Sequence, residues 1–297
     1  MQRRNEKTSP DGGIGRRAGL KHQWIHFHPG SIPGLGTELR LRKQLRSFFV
    51  IYVRMKAKRK IKKYLTKGIR KVRYRKGFGV HSPFAFSLIT QVIGEKTPFY
   101  AYEEILQLKK KCSKITAILP KFVSLHLPST KILFLLYRLI NRFQSQHLLE
   151  IGNQGGLVSY VMGLPNTTAE LISIGADADK LEQAAALFNQ ETPHTHCFIH
   201  GEPVKVLADL PEGYRADFIY IHAEAARHAD ELYAALRERI HPHTVILIEN
   251  IKTDKNARRL WNYFRYSPEI RVSLDLYEVG VAIGHDRFYK QHYIVSF

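Results

Sequence analysis

The stretch HLLEIGNQGGLVSYVMG, residues 147–163, places an acid and three glycines close together. An apolar run stops at Glu150 and breaks into a loop holding Gly152, Gly155 and Gly156. This reads as the end of a strand entering a turn that cradles a ligand: a carboxylate accepts hydrogen bonds, and glycine lets the backbone come close to whatever is bound. A dinucleotide-binding loop would need glycines at 152, 154 and 157, and the chain has Gly152, Gln154 and Leu157. That reading fails at two of its three positions.

Such a loop needs a sheet behind it. From residue 146 onward, short apolar runs (HLLEI, ELISI, HCFIH, DFIYI, TVILIE) alternate with helical patterns around 179–189, 226–239 and 254–265. The alternation predicts a parallel sheet covered on both faces. The last runs, RVSLDLYE and VGVAIG, lie too close for a crossover helix and must pair antiparallel. Ahead of the sheet, Ser82-Pro83 reads as the cap and first residue of a helix whose Phe84, Leu88 and Val92 share a face. Further helices are predicted over Tyr100–Cys112 and Thr130–Phe143, the second burying Ile132, Leu135, Leu136, Leu139 and Ile140. The expected organisation is a Rossmann-like α/β domain over residues 146–297, five parallel strands plus an antiparallel C-terminal pair, behind a helical lead-in over residues 55–145.

The chain has 297 residues, 44% of them hydrophobic, enough for one full core and a smaller attachment. Its apolar runs, FFVIYV at 48–53 among them, fall far short of the roughly 20 residues of a spanning helix, and no signal-peptide pattern is present. A cytoplasmic protein is expected. Cys112 and Cys197 give neither a disulfide framework nor a metal spacing. The net charge of +20 is not spread evenly: residues 1–76 hold 23 Lys and Arg against 3 acids, and the remainder is balanced at 23 against 23. Residues 1–37 lack periodic apolar pattern, so the tail over residues 1–54 is expected to be disordered. The segment GGIGRRAGLKHQWIHFHPGSIPGLGTE also reads like translated transfer-RNA gene sequence, which makes an over-extended reading frame with a start at Met55 one expectation and a genuine basic tail the other. From Met55, the text MKAKRKIKKYLTKGIRKVRYRKG spaces Ile61, Tyr64, Leu65, Ile69 and Val72 at helical steps among Lys and Arg. A basic amphipathic helix over 55–76 follows; its partners would be RNA phosphates or anionic membrane, or it is a solvated face of its own domain.

Several stretches taken together carry a resemblance: GFGVHSPFAFSLI at 77–89, the LEIG loop, ENI at 249–251, Trp261, SLDLYEVGVAI at 273–283 and the closing KQHYIVSF. With the strand order, they resemble a bacterial, O-methyltransferase-like group of class I S-adenosylmethionine-dependent methyltransferases, akin to the catechol and caffeoyl-CoA type. The match runs over about residues 75–297. It implies S-adenosyl-L-methionine as cofactor, with Glu150, Gly152 and Gly156 around it. The family's acid at the end of the second strand, which holds the ribose hydroxyls, is Gly175 here, leaving Asp177 as the nearest substitute or as a turn residue. Gly201-Glu202 keeps the acid that accepts from the adenine amino group. The family's aspartate at the end of the fourth strand is His222, and the fifth strand ends in Glu249-Asn250. His222, Glu249 and Asn250 are all able to ligate metal, but imidazole suits zinc or transition metals better than magnesium, and no metal is predicted. His222 reads as a general base or as a strand-end histidine bonded to backbone.

Two functions follow. One is an S-adenosylmethionine-dependent methyltransferase acting on a small hydroxylated substrate, with His222 as base. The other is a methyltransferase fold that has lost catalysis and serves as a binding or scaffold protein through its basic helix. The acceptor and the oligomeric state are not legible.

Overall fold

The computed structural model describes residues 61–297 except 62, 67, 75–78, 119–125 and 189–194. The expected tail over 1–54, the start at Met55 and the first turn of the basic helix lie outside the described residues.

Eight strands form one sheet: β1 (His147–Ile151), β2 (Glu170–Gly175), β3 (Thr195–His200), β4 (Phe218–Ile221), β5 (Val245–Glu249), β6 (Ile270–Asp275), β7 (Val279–Gly284) and β8 (Gln291–Ile294). Their order across the sheet is β3-β2-β1-β4-β5-β7-β6-β8. The first five run parallel. β7 then inserts antiparallel between β5 and β6, as the short connection at Leu276–Glu278 requires. The eighth strand is an addition to the sequence-based expectation: β8 lies parallel to β6 at the sheet edge. Its residues QHYI are all half-buried, so no alternation announces it.

The strands read as near-continuous apolar runs because both faces are covered. On one face Leu148, Phe218, Tyr220, Val245 and Leu247 pack under α1 (Pro83–Ser87), α2 (Ala101–Ile118), α3 (Thr130–Phe143) and α4 (Leu157–Gly163). On the other, Leu149, Ile151, Ile219, Ile221, Ile246 and Ile248 meet a second cluster. Its helices include α6 (Pro203–Asp209), α7 (Ala229–Arg237) and α8 (Lys255–Tyr266), while α5 (Ala178–Phe188) follows β2. α1 starts as the sequence implies, with Ser82 Oγ accepting from the Ala85 N–H at 3.3 Å and Pro83 in the first turn, then passes into a π-helical turn at Leu88–Ile93. Trp261 on α8 lies over Gly280 of β7, where an added Cβ would come within 2.5 Å of the indole.

The described positions between 61 and 73 are helical and held by charge rather than by the apolar stripe. The buried Arg70 donates to Asp275 Oδ1 at 2.9 Å and its carbonyl at 3.1 Å, and Lys63 pairs with Glu278 at 2.6 Å. Ile61, Tyr64, Leu65, Ile69 and Val72 are all exposed. Among the described residues no helix is long and apolar enough to cross a membrane.

Candidate active site

Strands β1, β4 and β5 are adjacent and in register, with Glu150 opposite Tyr220 and Tyr220 opposite Leu247. Because side chains alternate along a strand, Glu150, Tyr220, His222 and Glu249 leave the carboxyl ends of the three strands toward one face. All four are buried, at 0–1% exposure. His222 sits between the two acids: Nε2 is 2.8 Å from Glu150 Oε1, and Nδ1 is 3.4 Å from Glu249 Oε2. The Tyr220 hydroxyl donates to the other oxygen of Glu249 at 2.6 Å. Burial alone would lower the imidazole pKa, but the hydrogen bond to Glu150 and the charges of both acids overcome it and push it up to about 9. His222 is therefore an imidazolium at neutral pH. Its charge, with the Tyr220 hydroxyl, holds Glu249 below the usual carboxylate range despite burial.

Glu150 is used up by the protein. Its Oε2 accepts from Asn153 Nδ2 at 3.1 Å, from Ser173 Oγ at 2.7 Å and from Ser159 Oγ. Asn153 then turns its carbonyl oxygen to the N–H groups of Gly155 and Gly156, at 2.8 and 3.2 Å, which fixes the loop. Gly152 and Gly156 both have positive φ, +88° and +84°. A Cβ on Gly152 would stand 2.8 Å from Ala225 Cβ, and one on Gly156 would stand 2.8 Å from Ala184 Cα. Both glycines are thus required by close packing against neighbouring elements and by their backbone angles.

Above His222 lies a cleft of about 400 Å³, lined by His126, Gln154, His222, Glu224, Arg227, Glu249 and Asn250. Two buried atoms on its wall, His222 Nδ1 and Glu249 Oε2, make no hydrogen bond beyond their 3.4 Å ion-pair contact with each other. They hold a donor and an acceptor side by side at the cleft wall. Half-exposed His126 stands 3.9 Å from the same Glu249 oxygen. Asn250 takes up a left-handed turn, φ 55°, and its carbonyl accepts from Thr253 and Asp254 at the start of α8. One end of the cleft is bridged: Gln154 donates to Glu224 at 2.8 Å and accepts from Lys180 at 2.7 Å, and Lys180 lies 3.5 Å from Glu224. Among the described residues no group of three His, Cys, Asp or Glu side chains is arranged to hold a metal ion.

Similarity to solved structures follows the same lines. An O-methyltransferase from Bacillus cereus, solved with S-adenosylhomocysteine, superposes with TM-score 0.50 at 16% identity, covering 66% of this chain and 97% of its own. The O-methyltransferase TomG from Streptomyces achromogenes, of tomaymycin synthesis and solved with S-adenosylmethionine, gives 0.50 at 17% over 67% and 96%. The methyltransferase PaMTH1 of Podospora anserina, bound to S-adenosylhomocysteine, gives 0.50 at 13% over 69% and 97%. The fold is that of the class I O-methyltransferases. No protein-family model matches the chain, and a comparison with curated proteins finds no match.

On this methyltransferase fold the sequence-derived residues separate into two groups. Glu150, His222, Glu249 and Asn250 converge at the ends of β1, β4 and β5, over Gly152. Asp177 and Glu202 stand exposed after β2 and β3 and do not line the cleft. Asp177 Oδ1 caps α5 by accepting from the Lys180 N–H at 3.2 Å, and Glu202 precedes α6 without a side-chain cap bond. Gly175, in the place of the family's ribose acid, faces Leu181, whose Cγ would be 3.0 Å from an added Cβ. Sequence reasoning missed Tyr220, Asn153, Ser159, Ser173, His126 and the Gln154–Lys180–Glu224 bridge. Tyr220 had a signal, since it lies two positions before His222 and so on the same face.

Proposed function

We propose that the chain is an S-adenosylmethionine-dependent methyltransferase acting on a small hydroxylated molecule. The observation that carries this reading is the buried ion pair of His222 Nδ1 and Glu249 Oε2, 3.4 Å apart on the wall of a polar cleft at the carboxyl ends of the strands, where open α/β sheets receive their ligands. When bound, the cofactor supplies a methyl group activated by its sulfonium. Asp177 and Glu202 are exposed acceptors suited to its ribose and adenine groups, while Gly175 and His222 stand where the family's pattern has acids.

The residues of the chain supply orientation and charge. An acceptor hydroxyl in the cleft donates to Glu249 Oε2 and accepts from the His222 imidazolium. As the hydroxyl passes its proton to Glu249 and its oxygen takes the methyl group, the imidazolium stabilises the developing oxyanion. If His222 instead works as the base, it must first be neutral, so activity would climb as pH approaches 9; in the imidazolium role activity falls there. Glu150, Asn153 and the two serines position His222 and the loop. The Gln154–Glu224 bridge joins the β1 loop to the turn after β4.

Isothermal titration with S-adenosylmethionine and with S-adenosylhomocysteine tests the reading. Saturable binding of either is expected, and lack of heat with both at millimolar concentration sinks it.

One observation favours a second reading, surface binding by the basic helix: its five apolar side chains are exposed amid Lys and Arg. Retention on anionic vesicles should then fall with salt and disappear when Leu65 and Ile69 become Glu; unchanged retention would dismiss it.

A further inference from the structure

The apolar stripe of α3 contains one ion. In TKILFLLYRLINRF, Arg138 sits among Leu135, Leu136, Tyr137, Leu139 and Ile140, and it is buried with them, at 7% exposure against their 0–1%. A guanidinium removed from water ordinarily finds a carboxylate, because the desolvation cost is large. Arg138 does not. Its NH1 group donates to the Tyr102 hydroxyl at 2.9 Å and to the Glu95 carbonyl at 3.4 Å, its NH2 group reaches the Ile93 carbonyl at 3.5 Å, and Nε has no partner. No described carboxylate lies within ion-pair distance. The nearby Glu95 side chain accepts instead from the backbone N–H groups of Lys96 and Thr97, at 2.7 and 2.6 Å.

Arg138 lines an open groove of about 980 Å³, at the upper end of the roughly 300–1,000 Å³ typical of small-molecule sites. The groove shares no residue with the cleft above His222. Its walls are mainly apolar and include Ile89, Ile93, Phe99, Leu106 and Phe134, the last stacked on Tyr102 at 3.7 Å between ring centroids. The C-terminal residues Val295–Phe297 complete one side. Besides Arg138, the charged lining comprises Lys71, Lys96 and Lys131 against Glu95 and Glu103, so the groove is net positive.

We propose that this groove binds a single-chain amphiphile with a carboxylate head, the head on Arg138 and the chain along the apolar wall. Charge selects the head: a carboxylate supplies the counter-ion that Arg138 lacks and can accept from guanidinium nitrogens. The lining selects the tail, since a compact anion would leave the apolar wall wet. The site is independent of the methyltransferase reading.

The test is calorimetric titration of the full chain with dodecanoate, below its micelle-forming concentration, beside dodecan-1-ol, which keeps the tail and lacks the charge. Dodecanoate should saturate a single site and bind at least tenfold tighter than the alcohol. Arg138→Met should abolish this binding. Leu106→Trp, at a partly exposed position of α2, leaves Arg138 and its partners in place and should weaken it at least tenfold by filling the groove. Should Arg138→Met fail to fold, Leu106→Trp and the alcohol decide. Three results overturn the proposal: no saturable binding of dodecanoate, equal binding of acid and alcohol, or equal binding to the parent and to Leu106→Trp.

Discussion

Raising the pH from 6.5 to 9.5 should remove a definite part of the stability of this protein through one side chain. His222 is at 1% exposure between Glu150 and Glu249, and its pKa rises from an ordinary 6.5 to about 9. A group whose pKa is higher folded than unfolded stabilises the fold fully below the unfolded value, and the contribution is lost as pH rises through the folded value. A shift of this size corresponds to about 3 kcal/mol, lost between pH 6.5 and about 9. Urea unfolding of the parent and of His222→Gln at closely spaced pH values measures it. The parent should lose about 3 kcal/mol more than the variant across that window. The variant should be weaker than the parent at pH 7, by about 3–5 kcal/mol, because two buried acids lose their common cation. Imidazole resonances give the same answer directly, with His222 titrating near 9. Equal losses in parent and variant, together with an imidazole that titrates at its ordinary value, would refute the account of the cluster.

Other consequences concern packing and charge. Gly156→Ala forces a side chain onto a φ of +84° and to 2.8 Å from Ala184 Cα, so it should cost more than about 2 kcal/mol; a parent-like melting temperature would show that the loop is not packed on α5 as described. Arg70→Ala removes the buried one of the two ion pairs that hold the helix over 61–73, and leaves Asp275, at 3% exposure, with Lys252 at 2.6 Å as its remaining cation. A loss of about 2–3 kcal/mol in chemical denaturation is expected, with early proteolysis near residue 70, and an unchanged midpoint would argue that the helix is not docked through Asp275.

Much of this protein was legible in its sequence because period and punctuation are local. The alternation of apolar runs and helical patterns after residue 146 specified a doubly covered parallel sheet, and the short gap between RVSLDLYE and VGVAIG forced an antiparallel pair. The Glu150 to Gly156 stretch announced a strand end and a tight loop, and Ser82-Pro83 a helix start. What those residues do once folded was set by neighbours distant in the chain. The glycines at 152 and 156 read as space for a ligand, yet the bodies nearest to them are Ala225 and Ala184. Glu150 read as a ligand contact, but Ser159, Ser173, Asn153 and His222 converge on its two oxygens. The basic helix reversed the usual polarity because Arg70 found a buried acid more than two hundred positions away, leaving its apolar side chains outside. β8 was silent because an edge strand with half-buried side chains carries no alternation. An imidazole pKa, a counter-ion that is missing and a buried ion pair are properties of three-dimensional surroundings, and only the packing of β1 against β4 and β5, and of α3 against α2, decided them.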